Sequence, residues 1–268
     1  MSGPIGLHGG GEYLPGDERF LDALLEVATS AALERDLDVD GHAVGTPGSP
    51  TTRATLTRPL RIVVLPTAAA RGRPDLTAAT GRAAFERRAT AGDHGRVDVS
   101  IARVVDASSA ADHAISDAIR RADLIHLPGG DPDLIPTILA GSRALAALES
   151  AWRAGAVIAG ASAGAMALAE WTWTSGGGLR GLGLVRGLAV VPHYDDVRRT
   201  RWQVTLDELA PGELGYLGLD EQTGVIAQPS DPTERTWLVA GQGSAHWFAR
   251  GATAAVTGRH GDLLRLPA

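Results

Sequence analysis

Residues 157–166 read Val-Ile-Ala-Gly-Ala-Ser-Ala-Gly-Ala-Met, and this stretch decides the fold. Its start, 157–159, is typical of a buried strand, and good helix formers follow from Ala163 onward. Between them lies a G-x-S-x-G pattern, residues 160–164. A strand, a tight turn with a central serine and a helix form the layout of a nucleophile elbow. The pattern predicts that Ser162 is a nucleophile, although an ordinary turn of small residues with an incidental serine is the alternative.

Strand and helix patterns alternate on the N-terminal side of this turn. The predicted strands are residues 5–8, 61–66, 97–105, 124–127 and 157–159. The predicted helices are residues 17–35, 75–90, 109–121, one that opens at residue 132 or 133, 142–153 and 163–170. Such alternation predicts an α/β fold, a three-layer αβα sandwich whose sheet is mostly parallel. Residues 41–59 indicate a long loop, and residues 1–268 are expected to form a single domain.

Beyond about residue 180 the pattern changes to short strands separated by glycine-rich turns. These strands are predicted at residues 188–191, 224–228, 236–240 and 254–257, with one helix at residues 196–209.

The composition excludes several classes of chemistry and partner. The chain has 268 residues, a net charge of −6, no cysteine and no lysine. Cysteine nucleophiles, thiolate zinc sites, Ser–Lys dyads and Schiff bases are therefore impossible. The acidic balance argues against nucleic acid, and no apolar run is long enough to cross a membrane. Because no leader pattern opens the chain, we expect a cytoplasmic protein.

A serine nucleophile needs a base within hydrogen-bond reach. Of the eight histidines, His193 is the strongest candidate because it follows the predicted strand 188–191. The carboxyl ends of strands are where α/β sheets place their chemistry. The alternative is a surface loop histidine.

The base needs an acid that fixes its tautomer. Asp220 and Glu221 precede the predicted strand 224–228 and are the main candidates. Asp195 and Asp196 are rivals, but they lie so close to His193 in sequence that reach to its ring is less natural.

Two glycines, Gly129 and Gly130, follow the predicted strand 124–127. Glycines at a strand end allow backbone N–H groups to point into a site. If this strand lies beside the elbow strand, these N–H groups and that of Ala163 would form an oxyanion hole. An ordinary strand-to-helix turn is the alternative.

The order serine, histidine, acid resembles the S51 serine peptidases, which include cyanophycinase and the aspartyl dipeptidase peptidase E. The matching stretches are residues 7–11 (Leu-His-Gly-Gly-Gly), 128–131 (Pro-Gly-Gly-Asp), 160–165 (Gly-Ala-Ser-Ala-Gly-Ala), 191–194 (Val-Pro-His-Tyr) and 218–223 (Gly-Leu-Asp-Glu-Gln-Thr). They occur in the order that the family shows.

The resemblance implies a class I glutamine amidotransferase-like fold and a cytoplasmic enzyme that needs no metal or other cofactor. It implies Ser162 as nucleophile, His193 as base and Glu221 as third member. Oxyanion donors would come from Gly129 or Gly130, and from Ala163. The expected substrate is a small peptide or amide cleaved beside Asp or β-linked Asp, and the expected assembly is a homodimer.

Departures from the family bear on the substrate. Pro132 stands where cyanophycinases carry Gln, and Pro192 directly precedes the histidine where they carry Asp-Gln. Cyanophycin itself is therefore not the expected substrate. Arg199 and Arg201 could pair with a substrate carboxylate, although a solvated helix face explains them equally well. Asp131 could meet a basic substrate group.

Two alternatives remain open. Residues 8–11, His-Gly-Gly-Gly, match the oxyanion motif of lipase-like α/β-hydrolases, with His246 or His260 as a late histidine. That motif sits on the first predicted strand, which leaves no room for the strands that should precede it. The other alternative is an amidotransferase-like scaffold that binds a ligand without catalysis.

Overall fold

The computed structural model describes residues 2–40, 56–174, 177–194, 208, 214–227, 234–252 and 254–267. Within these residues the helices are α1 (Glu18–Asp40), α2 (Pro74–Ala91), α3 (Ala107–Ala110), α4 (His113–Arg120), α5 (Leu134–Leu139), α6 (Arg143–Arg153) and α7 (Ala163–Leu168). The strands up to the elbow are β1 (Ile5–His8), β2 (Leu60–Val64), β3 (Val97–Ile101), β4 (Leu124–Leu127) and β5 (Val157–Ala161).

Nine further strands follow α7 in the described residues. They are β6 (Ala169–Thr174), β7 (Gly177–Arg180), β8 (Val185–Val191), β9 (Gly215–Leu219), β10 (Thr223–Ala227), β11 (Glu234–Gly241), β12 (Ser244–Phe248), β13 (Val256–Arg259) and β14 (Leu263–Pro267).

The first sheet has eight described strands in the order β14-β11-β10-β1-β5-β4-β2-β3. Five neighbouring strands run parallel, namely β1, β5, β4, β2 and β3. The strands β10, β11 and β14 join antiparallel at one side. The predicted mostly parallel sheet is confirmed, and β4 pairs with β5 as expected. Because parallel strands end at one edge, the segments that follow β1, β4 and β5 meet there.

Both faces of this sheet are buried, which explains the continuous apolar strands. Along β2, Ile62 and Val64 pack on one side with α1 and α2, including Phe85. Val63 and the following Leu65 pack on the other side with residues of α3 to α7. Successive side chains of a strand point to opposite faces, so each covering layer receives alternate residues. The predicted α/β class, with helices on both faces, is confirmed.

A second sheet has six described strands in the order β13-β12-β9-β8-β6-β7. Its residues Leu188, Leu217 and Trp247 join the core that the α3 to α7 side forms with the first sheet. β8 and β9 run parallel, so the segments after them leave at the same edge. Those segments carry His193 and Glu221, so the second sheet places these two residues at the same edge.

Several element boundaries differ from the predictions. Residues 109–121 do not form one helix, because Asp112 accepts the N–H of Ile115 and starts α4 anew after the short α3. The helix after the elbow ends at Leu168 instead of residue 170, and β6 begins at the next residue. The strand predicted at 97–105 ends at Ile101.

All four late strands that the sequence predicts are present in shifted or extended form as β8, β10, β11 and β13. Five others, β6, β7, β9, β12 and β14, were not predicted. All of the helix predicted at 196–209 except residue 208, and most of the loop predicted at 41–59, lie outside the described residues. No helix in the described ranges combines the length and the apolar character that crossing a membrane requires.

Candidate active site

Ser162 occupies a sharp turn between β5 and α7, with a φ of 50° and a ψ of −114°. A positive φ at a residue other than glycine is strained, and such strain is typical of functional turns. The two glycines of the pattern are sterically required. A Cβ on Gly160 would overlap the backbone of Gly164, and one on Gly164 would overlap the carbonyl of Leu127. Small residues therefore allow the elbow to pack against β4.

His193 follows β8 and lies against the serine, with 2.9 Å between its Nε2 and Ser162 Oγ. Its backbone N–H donates to the carbonyl of Gly9 at 2.7 Å, and its φ is 50°. The loop after β1 thus fixes the histidine backbone. The distance is that of a nucleophile hydrogen-bonded to its base.

Glu221 lies on the far side of the imidazole, with 2.8 Å between its Oε1 and His193 Nδ1. Asp220, the competing acid, turns away: its Oδ2 accepts the Ser244 N–H at 2.8 Å, and its Oδ1 is 3.4 Å from His246 Nε2. Asp195 and Asp196 lie outside the described residues. Of the described candidates, Glu221 is therefore the one in contact with His193. Its side chain is 58% exposed.

The predicted oxyanion donors surround the serine but are not equally available. The Gly129 N–H donates to Glu12 Oε1 at 2.8 Å. The N–H groups of Gly130 and Ala163 have no hydrogen-bond partner within the described part of the chain. Gly130 has a φ of 150°, and a Cβ there would overlap the backbone of Ala68. Two donors are therefore open, and the third is held by a carboxylate.

Glu12 is a residue that the sequence did not single out. It follows Gly9-Gly10-Gly11 in the loop after β1, and its carboxylate reaches the turn after β4. The only sequence signal is its position directly behind the glycine run that we assigned to the site.

Hydrogen bonds of Tyr13, the residue after Glu12, hold this loop in place. Tyr13 donates its backbone N–H to Asp17 Oδ2 at 2.8 Å, and its hydroxyl lies 2.7 Å from His126 Nδ1. Burial, with a smaller contribution from nearby His8, lowers the pKa of His126 to about 3. Burial also raises the pKa of Tyr13, helped by the charges of Glu12 and Asp17. A neutral imidazole therefore faces a protonated phenol at this anchor.

The predicted substrate-binding residues are only partly described. Asp131 is half-exposed at the rim, with its N–H bound to the Ala68 carbonyl and its carboxylate 3.6 Å from Arg71. Arg71 also forms a two-pronged ion pair with Asp133, at 2.9 and 2.8 Å. Arg199 and Arg201 lie outside the described residues.

The lipase-like alternative finds no support in the geometry of its motif. Two of its N–H groups are already used, because Gly9 donates to Thr223 O at 2.8 Å and Gly10 donates to His8 Nδ1 at 3.2 Å. His8 itself is buried, with its Nε2 3.0 Å from Asp17 Oδ1. His246 contacts Thr257 and Asp220, whereas the histidine at Ser162 is His193.

Within the described ranges, no group of three or more His, Cys, Asp or Glu side chains is arranged to hold a metal ion.

Two solved structures of peptidases have a similar fold. The structure superposes on that of a peptidase from an acI-B1 Actinobacterium with a TM-score of 0.73 and 22% identity, covering 99% of this chain and 98% of that one. It also matches the “Putative Peptidase E Protein” of Listeria monocytogenes EGD-e, with a TM-score of 0.53 and 13% identity over 91% of this chain and 100% of that one. At these identities the likeness shows a shared fold. No curated protein matched the chain.

The model of peptidase family S51 matches residues 53–232. That match covers well over half of the chain, so the protein belongs to peptidase family S51 and is a peptidase.

Proposed function

We propose that this peptidase is a serine enzyme that hydrolyses a peptide or isopeptide bond through an acyl-enzyme on Ser162. The single observation that carries the proposal is the hydrogen-bonded row Ser162–His193–Glu221, with contacts of 2.9 and 2.8 Å. A nucleophile, a base and an acid in this order are the requirements of covalent acyl transfer.

In the first half of the reaction, His193 Nε2 takes the proton of Ser162 as Oγ bonds to the substrate carbonyl carbon. The carbonyl electron pair moves to the oxygen, which the N–H groups of Gly130 and Ala163 stabilise, joined by Gly129 once its donor is open. Collapse of this intermediate breaks the C–N bond. The His193 imidazolium gives its proton to the leaving amine, and Glu221 stabilises that imidazolium.

In the second half, water replaces the amine. His193 accepts a proton from the water as its oxygen attacks the acyl carbon, and the same oxyanion donors stabilise the second intermediate. Breakage of the ester bond returns the proton to Ser162 Oγ and releases the carboxylic acid.

For the substrate we propose a bond next to Asp or β-linked Asp. The support is the family membership together with the arginines at 199 and 201, since a guanidinium pairs with a carboxylate in two-pronged geometry. The half-exposed Asp131 is a candidate contact for a basic group on the substrate.

The test is a panel of Asp-X, β-Asp-X and simple amide substrates assayed on wild-type protein and on Ser162→Ala. Wild type should prefer Asp substrates and be labelled on Ser162 by a fluorophosphonate, as read by mass spectrometry. Ser162→Ala should lose labelling and nearly all turnover. Hydrolysis by Ser162→Ala at the wild-type rate would refute the proposal.

We further propose that the protein is a cytoplasmic homodimer, as the family resemblance implies. Light scattering of the purified protein across a dilution series measures the assembly, and fractionation of expressing cells measures the location.

A further inference from the structure

Glu12 places a carboxylate oxygen where the reaction needs an empty oxyanion donor. Its Oε1 accepts the Gly129 N–H at 2.8 Å. An atom at the Cβ position of Gly129 would lie 2.9 Å from that oxygen and 3.1 Å from Ser162 Cβ. The carboxylate and the serine side chain therefore flank the same small space. A negative oxygen on this N–H occupies the position that a reaction oxyanion would take.

The loop that carries Glu12 is built to hold it there. Tyr13 is tied through its backbone to Asp17 and through its hydroxyl to His126. Asp17 is itself buried against His8. The backbone next to Glu12 is therefore fixed, whereas the Glu12 side chain is held by its bond to Gly129. Rotation of this side chain suffices to release the donor.

The charge on Glu12 has no counterpart among the residues that the structure describes, since none of their cationic side chains forms an ion pair with it. Arg71 at the rim is already engaged by Asp133, and Glu221 adds a second carboxylate near Ser162. An oxyanion forming beside an unpaired carboxylate would be repelled. A cation on the substrate removes both obstacles, because it pairs with Glu12 and draws it away from Gly129.

We infer that Glu12 is a specificity-determining residue that keeps the Gly129 donor occupied until a protonated amine beside the scissile carbonyl takes over its carboxylate. This inference rests on the proposed serine mechanism. In a peptide, the nitrogen on the α-carbon next to a scissile carbonyl is cationic only when it is the free N-terminus. Glu12 thus couples the opening of the oxyanion hole to the recognition of a free amino group.

The test compares two substrates that differ only in that charge: aspartyl 4-nitroanilide and its N-acetylated form. Wild type should show a kcat/KM at least about 100-fold higher for the free amine. Glu12→Gln should lower this ratio at least about tenfold, since hydrogen bonds to charged groups contribute about that much. Glu12→Asp, which restores the charge, should recover part of the ratio. Glu18→Gln, in which an acid that accepts the Gly16 N–H is neutralised, is the matched control and should keep the wild-type ratio.

A second readout needs no amine. The rate of fluorophosphonate labelling of Ser162 should rise in Glu12→Ala, because the Gly129 N–H is then open to the phosphonyl oxygen. A wild-type enzyme that cleaves both anilides equally, a Glu12→Gln variant with the wild-type ratio, or an unchanged labelling rate in Glu12→Ala would overturn the role of Glu12. Absence of both labelling and hydrolysis in the wild type would instead refute the serine mechanism itself.

Discussion

Gly10 lies so close to His193 that a Cβ atom on residue 10 would overlap the imidazole ring. Its φ of 104° is also one that residues with side chains rarely adopt. The glycine run after β1 therefore supports the histidine that contacts Ser162, as well as turning the chain.

Gly10→Ala should displace the His193 ring and reduce kcat/KM at least about 100-fold, since misplacement by about 1 Å costs that much. It should also lower the free energy of unfolding by about 1–3 kcal/mol through backbone strain. Gly95→Ala is the matched control, because Gly95 has a φ of 84° but a Cβ on it would meet nothing within 4 Å. Steady-state kinetics and urea unfolding separate the two effects. If Gly10→Ala loses only as much activity as Gly95→Ala, the close approach of Gly10 to His193 does not contribute to catalysis.

Glu221→Gln should lower kcat about 10- to 1000-fold while KM changes little. The amide keeps the size of the side chain but no longer stabilises the imidazolium of His193. The loss should be smaller than for a buried acid, because water partly replaces a carboxylate that is 58% exposed.

The matched control is Asp220→Asn. In the wild type, the carboxylate of Asp220 accepts the Ser244 N–H and faces away from His193. The variant should retain a kcat within a few-fold of wild type. Equal losses in the two variants would remove Glu221 from the proposed triad.

The elbow was predictable from sequence because its signals are local. A buried strand, two glycines and helix formers within ten residues specify the turn at Ser162, and repeated strand–helix patterns specify the parallel sheet. The identity of the acid beside His193 could not be decided from the sequence pattern alone. Asp220 and Glu221 are adjacent, and only the turn between β9 and β10 decides which of them faces His193.

What the sequence did not reveal depends on contacts between distant segments. Glu12 and Gly129 are 117 positions apart, and a glutamate in a loop has no pattern that marks it as a neighbour of an oxyanion donor. β6 was missed because its first two residues, Ala169 and Glu170, were assigned to the helix after the elbow, although the Trp-Thr-Trp-Thr run at 171–174 that follows favours a strand.

The stability of the protein should fall with acid partly because of His126. Its folded pKa of about 3 lies below the ordinary value near 6.5, so the unfolded chain binds more protons between these values. Stability is therefore fully present above about pH 6.5 and is lost as the pH falls towards 3, by up to about 1.4 kcal/mol per pH unit.

Urea unfolding of wild type and His126→Gln between pH 7 and pH 4 measures this effect. The variant should be less stable at pH 7 but should lose stability less steeply on acidification. His113→Gln, which changes an exposed histidine at the start of α4, should keep the wild-type slope. A His126→Gln slope equal to that of wild type would contradict the assignment.

Asp123 should be a strongly stabilising ionised side chain away from the site. It is fully buried just before β4 and accepts hydrogen bonds from Arg35, Arg58 and Arg61, at 2.5 to 3.2 Å. Burial acts to raise the pKa of Asp123, but the bonds from Arg58 and Arg61 outweigh it and hold the pKa below its usual value. Asp123→Asn leaves three guanidinium groups short of their shared anion, so the free energy of unfolding should fall by about 3–5 kcal/mol.

The effect should be confined to stability. Asp123 lies at the amino end of β4, and the length of that strand, about 13 Å given the rise per strand residue, separates it from the turn at Gly129. Folded Asp123→Asn, assayed well below its Tm, should therefore keep the wild-type kcat/KM. Asp36→Asn, in which the half-exposed partner of Arg58 is neutralised, should cost at most about 1 kcal/mol. Equal costs in these two variants would show that burial of Asp123 does not decide the strength of this cluster.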